Sequence, residues 1–278
     1  MAERFAILTV VRSDAAAGLT EELRIEGFFA RQWGLSHLGA VEVVGLPELG
    51  DPELFALEVG RCRVVERSMA VTLRGDEHEA FIDLLDAGEV RLRFGEHGTH
   101  RLARRPVSEL HAAVNGVTYE ASLPMAMVAP PSGGSAVLAL EGRGSSELGT
   151  FHLTHTLAPP PTIQAVNGEP VTGDYAGIDW SDELAVTWLS TGAAEGDSHL
   201  VVSLEALQFD RRVELRCRSR DTGAVVLPAE GVQAVSTLAT SETITRLVVQ
   251  RLARVDFVAS GLHEGHAVFA ARSLVLLK

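Results

Sequence analysis

The sequence is short of several things. Lysine is nearly absent: Lys278 is the only one, so arginine carries almost all the positive charge. Aromatic residues fill 5% of the 278 positions, and there are 2 cysteines. No uncharged apolar run approaches the roughly 18 to 20 residues of a membrane-spanning helix. These shortages exclude a disulfide-dense scaffold and a helical membrane protein, and they leave few planar rings for a sugar-binding platform. Basic residues are also outnumbered, 24 Lys+Arg against 37 Asp+Glu for a net charge of −13, which argues against nucleic acid as a partner. The N-terminal apolar run, Phe5 to Val11, lacks the basic region and small-residue cleavage site of a secretory leader. Location is therefore a conditional expectation. The chain is extracytoplasmic (periplasm, cell surface or secreted) if a leader was removed, and cytoplasmic if Met1 is the native start.

What is present is ample core material, with 46% of residues hydrophobic. Short runs with period-two alternation dominate, as in Glu89–Phe94, Ala136–Leu140, Leu184–Trp188, Leu200–Leu204, Val213–Arg218 and Ala267–Ala271. That period of two predicts strands. Asn115-Gly116 and Asn167-Gly168 are dipeptides favoured in type I′ hairpin turns. Ser13 to Trp33, Glu77 to Leu85 and Pro106 to Val114 have the composition of short helices. Three consecutive prolines, Pro159 to Pro161, predict an extended spacer between two β-rich halves. The expected fold is mainly β, with two β-rich domains. Residues 1–158 form an N-terminal domain with a few short helices, and residues 159–278 an immunoglobulin/fibronectin-like sandwich.

Several segments carry a resemblance. Asp174 to Trp188, Val213 to Arg218, Asp221 to Ala229, Leu247 to Arg254 and Gly261 to Phe269 resemble segments of myxobacterial cell-envelope proteins with immunoglobulin/fibronectin-like domains. In the first half Gly60 to Val64 and Leu84 to Leu92 are similar to the same group. The resemblance implies a sandwich fold and an envelope location; it implies no activity.

Six of the ten histidines form three His-x-x-His pairs: His97/His100, His152/His155 and His263/His266. Imidazole is the commonest transition-metal ligand. On a strand, residues i and i+3 face opposite sides, which splits His152 from His155. His97, His100, His263 and His266 sit beside glycines in loop-like sequence and are the metal-ligand candidates, against the plain reading of exposed loop histidines. Each cysteine lies in an Arg-Cys-Arg triplet, at Cys62 and Cys217. Alternation turns Cys217 inward, so the expectation is a pair of buried free thiols. A disulfide between them would cross the domain boundary and needs Cα atoms within about 7 Å. The same alternation puts Arg212, Glu214, Arg216, Arg218 and Arg220 on one face, expected to be wet. Arg212, Arg216, Arg218 and Arg220, with Trp180, are the candidate grip for an acidic ligand such as a uronate or sulfate.

No G-x-S-x-G elbow, phosphate-binding loop or dinucleotide fingerprint occurs. No cofactor is expected, and the expected function is non-enzymatic: a structural or protein-binding module of the cell envelope or exterior. Its partner would be another protein or a second copy, with a surface glycan or a metal ion as the alternative ligand.

Overall fold

The computed structural model describes residues 3–14, 21–33, 53–68, 81–95, 98–107, 114–128, 134–173, 175–180, 182–190, 199–209, 211–240 and 242–278. In the first half the strands are β1 (Glu3–Ser13), β2 (Glu22–Trp33), β3 (Cys62–Ser68), β4 (Phe81–Leu84), β5 (Val90–Phe94), β6 (Thr99–Arg101), β7 (Ala103–Pro106), β8 (Val114–Asn115), β9 (Val117–Pro124), β10 (Ala136–Gly142) and β11 (Phe151–Leu157). The second half adds β12 (Thr162–Val166), β13 (Glu169–Pro170), β14 (Tyr175–Ala176), β15 (Leu184–Leu189), β16 (His199–Gln208), β17 (Arg211–Ser219), β18 (Ala224–Leu227), β19 (Ile244–Asp256) and β20 (Glu264–Leu277). Short helices are α1 (Glu53–Ala56), α2 (Met125–Val128) and α3 (Ala229–Ser236). The fold is mainly β, as the alternation predicts. Among the described residues no helix is long and apolar enough to cross a membrane.

One sheet, of twelve strands among the described residues, runs in the order β3-β17-β16-β19-β20-β1-β2-β4-β8. Beside it, β14 pairs with β20, while β9 pairs with β2 and β7. Two four-stranded sheets, β11-β10-β5-β6 and β13-β12-β15-β18, pack over it. Side-chain alternation along β20 shows that both cover the same face. Ala267, Phe269 and Ala271 point into a core with Leu92, Leu138 and Phe151 of the first small sheet. Val275 and Leu277 continue on that face into a second core with Val166, Val186 and Trp188 of the other small sheet. The result is two sandwich-like layers, side by side, sharing one long sheet. Residues on either side of position 158/159 belong to that sheet.

The centre of the sheet is a parallel pair. Phe5↔Glu264 through Ser13↔Arg272 join β1 to β20. Parallel strands buried on both faces read as continuous apolar runs rather than alternating ones. That is why Phe5–Val11 and Gly265–Ala271 are buried along their whole length.

Three sequence expectations change on inspection. The helix expected over Ser13 to Trp33 is instead, from Glu22 on, strand β2. Leu23 and Ile25 are buried between more accessible Glu22, Arg24 and Glu26, and Phe28, Phe29 and Ala30 are buried in succession because both faces are covered there. Propensity for helix yields to that tertiary burial. The other two expected helices fall partly outside the described residues; where visible they contain β4, β7 and β8. Asn167-Gly168 does form the tight turn between β12 and β13, with φ of 50° and 79°. Asn115-Gly116 does not make a hairpin: β8 pairs with β4 and β9 with β2 and β7. Glycine is needed at 116 because φ is 116° and a Cβ would lie 2.2 Å from the Leu84 carbonyl oxygen.

The proline run is not a free spacer. Arg251 Nη1 on β19 donates to the Pro159 carbonyl at 2.8 Å, and Ser273 Oγ on β20 donates to the Pro161 carbonyl. The segment joining the two small sheets is therefore pinned across the strands they share.

Cys62 and Cys217 form a disulfide, with Cα atoms 4.0 Å apart, which corrects the expectation of free thiols. The pairing follows from register: β3 adds to the edge of the sheet beside β17, placing Cys62 directly opposite Cys217. The bond ties positions 155 residues apart. A Cys62→Ser/Cys217→Ser variant should lose about 2–5 kcal/mol of unfolding free energy, measured by denaturant titration. Dithiothreitol should weaken the parent by a similar amount and leave the variant unchanged; equal stability of parent and variant would show that the bond does not secure β3.

Candidate functional site

The arginine face of β17 is the first place where the expected site and the structure part. Arg212, Glu214 and Arg216 are 6%, 3% and 3% exposed, so the face expected to be wet is buried. The covering includes α1: Phe55 packs beside Val201 and Leu252, and Arg218 Nη1 donates to the Leu57 carbonyl at 2.5 Å. Burial is tolerated because charges of opposite sign interleave across β16, β17 and β19. Arg216 grips Glu214 with both Nε and Nη2, each at 2.9 Å. Ser203 Oγ donates to Glu214 at 2.7 Å, and Arg212 lies 3.3 Å from its second oxygen. Arg212 also donates to Glu205 at 2.9 Å, and Arg246 reaches the other Glu205 oxygen at 2.7 Å. Arg212 and Arg216 thus serve these internal carboxylates, Arg218 is half-buried on backbone carbonyls, and Arg220 alone of the four is exposed. Burial pushes the Glu214 carboxyl up, but Arg212, Arg216 and Ser203 outweigh it and hold the group below the usual carboxylate range.

The histidines are dispersed. His97 lies outside the described residues. His100 is half-buried on β6 opposite Leu92. His263 is locked to the start of β1: its Nδ1 accepts the Arg4 backbone N–H, its own backbone N–H donates to the Arg4 carbonyl, and both distances are 2.8 Å. His266 is buried on β20, 3.8 Å from Glu264. Among the described residues no three His, Cys, Asp or Glu side chains converge. The split of His152 from His155 follows strand alternation: His152 is exposed, whereas His155 lies against the Phe269 ring at 4.3 Å between centroids. Burial there lowers the His155 pKa and favours the neutral ring.

Among the described residues, a group of exposed apolar side chains lies elsewhere, at one end of the long sheet. Register places the β16–β17 turn, the start of β19, the end of β20 and β14 side by side: Leu207↔Ile244, Arg246↔Leu276 and Tyr175↔Leu276. Phe209 in that turn is 102% exposed, Ile244 60% and Tyr175 46%. Behind Ile244 and Tyr175 opens a cavity of about 440 Å³, lined in part by Trp180, Thr240, Thr243, Thr245 and Lys278. The Lys278 ammonium sits 3.6 Å from the centre of the Tyr175 ring. Trp180, grouped in the sequence with the arginine face, is half-buried elsewhere: it packs on the second core and walls part of this cavity. Trp188 lies in the second core, with its indole N–H on Asp221 at 2.7 Å. Reading the sequence for site residues missed Phe209, Ile244, Tyr175 and Lys278. The available signal was an aromatic residue in a tight turn, a position normally held by Gly, Asn or Asp.

No family model matches this chain, and no curated protein matches it. Among solved structures, a yeast delta-COP-I mu-homology domain complexed with a Dsl1 WxWxV peptide aligns with 100% of this chain and 97% of that chain. The identity is 9% and the TM-score 0.17, a likeness that carries no argument.

The buried charge cluster makes a pH prediction. A carboxyl held below its ordinary value of 4.5 stabilises the fold fully above that pH and loses its contribution as pH falls through the lower folded value. Glu214→Gln should therefore cost about 3 kcal/mol at neutral pH, since it leaves buried guanidinium groups uncompensated. Melting curves of parent and variant should converge as pH drops below 4.5. A gap that stays constant through this range would remove Glu214 as the titrating group.

Proposed function

We propose that this chain is a non-enzymatic protein-binding module of the cell envelope or exterior, built on immunoglobulin-like sandwich layers, that docks a protein through the apolar end of its long sheet. The observation that carries the reading is Phe209, wholly exposed in a turn between two paired strands, with exposed Ile244 at the start of the adjoining strand β19 and Tyr175 further along the same end of the sheet, beyond β20. Aromatic side chains held on a rigid support make good interface anchors, because little conformational freedom is lost when they are buried by a partner. Sandwich folds commonly offer the turns at their ends to partners. The Cys62–Cys217 bond supports the location, since structural disulfides persist in oxidising compartments. The resemblance of Asp174 to Trp188 and Val213 to Arg218 to segments of envelope proteins supports it as well.

A photo-reactive phenylalanine analogue at position 209 tests the reading in envelope preparations of the source cells. A discrete protein adduct is expected, whether to a second copy or to another protein, and it should fade when Ile244→Ser is added. Absence of an adduct, or the same adduct from the same probe at exposed Thr162 of the opposite sheet, would overturn docking at this end.

A further inference from the structure

We propose that the cavity between Tyr175 and Thr240 is a binding site for an acidic sugar, a uronate unit of a glycan. This goes beyond the docking reading, which rests on the rim at Phe209, and it fails or stands separately.

The cavity, at about 440 Å³, falls within the roughly 300–1,000 Å³ range of small-molecule sites. Among the described residues lining it, Lys278 supplies the one charged side chain. Tyr175 holds that ammonium over its ring, so the cation is positioned at the wall before any ligand arrives. Trp180 is fixed from behind by the second core and offers a planar surface against which the C–H face of a sugar ring can lie.

The hydroxyls set the remaining requirement. Thr243 Oγ1 donates to the Leu238 carbonyl at 2.7 Å, which leaves Thr240 Oγ1 as donor to Thr243 at 2.9 Å. Thr240 also accepts the Glu242 backbone N–H at 3.3 Å. With its proton committed and one lone pair taken, the Thr240 oxygen can only accept from a ligand. A fitting ligand therefore brings a carboxylate for Lys278, a ring face for Trp180 and an O–H donor for Thr240. An acidic sugar has all three. Inorganic sulfate or phosphate lacks the ring face, and a neutral sugar leaves the ammonium unused.

Titration of the full chain with trigalacturonate, followed by calorimetry and tryptophan emission, tests this, with maltotriose as the uncharged control. Saturable binding of trigalacturonate, weaker in high salt, is expected. Lys278→Gln should weaken it about tenfold, the size of one charge-assisted hydrogen bond, while leaving the melting temperature unchanged. Trp180→Ala should abolish both binding and the emission change, and Trp180→Phe should retain part of the affinity. Phe209→Ser should leave sugar binding untouched. The proposal is overturned if trigalacturonate does not bind, if maltotriose binds equally well, or if a folded Lys278→Gln protein binds as tightly as the parent.

Discussion

The arrangement depends on the pairing of β20 with β19 on one side and β1 on the other. β20 is long enough to serve two cores in succession: Ala267, Phe269 and Ala271 face the first, and Val275 and Leu277 face the second. Without it, β1 and β2 would be separated from the β3-β17-β16-β19 half of the sheet, and neither small sheet would have a complete floor. The two halves are thereby one mechanical unit along the sheet, even though their apolar cores are distinct.

Two devices reinforce that junction. The proline segment crosses β19 and β20 with its carbonyls held by Arg251 and Ser273, so the connection between the small sheets follows the same strands that join the cores. Arg251 also donates Nε to Asp221 at 2.9 Å, and Asp221 accepts the Trp188 indole N–H, linking the proline segment to the core tryptophan through a single carboxylate. On the opposite face Glu205 and Glu214 are buried among Arg212, Arg216 and Arg246. Such clusters contribute little net stability compared with apolar packing, but each member is costly to remove alone. Glu205 and Glu214 are thus compensated only while Arg212, Arg216 and Arg246 stay beside them.

Much of the architecture could be read from the sequence. Alternation located β5, β10, β15, β16 and β17, and Asn167-Gly168 marked a true turn. Several readings failed because they took one segment without its neighbours. Arg212 and Arg216 look like a solvent face until Glu205 and Arg246, on neighbouring strands, are brought opposite them. Cys62 and Cys217 look like unrelated core thiols until β3 is placed on the edge beside β17. β2 looks helical until both of its faces are covered. The site was less legible still, because Phe209, Ile244, Tyr175 and Lys278 meet only through the register of β16, β19, β20 and β14, and no local motif joins them.

The central β1–β20 pair also sets an order of events. The hydrogen-bonded residues Arg4 and His263 lie 259 positions apart, so the middle of the sheet closes only after nearly the whole described chain is available. While the chain is being made, β1 and β2 precede β20 by more than 200 residues, and β1, apolar on both faces, has one strand edge without its partner. Long-range parallel closure is slow, and such edges pair readily with the wrong neighbours. Until β20 is made, the edge of β1 that it will cover stays open, for a time set by the synthesis of the residues between them.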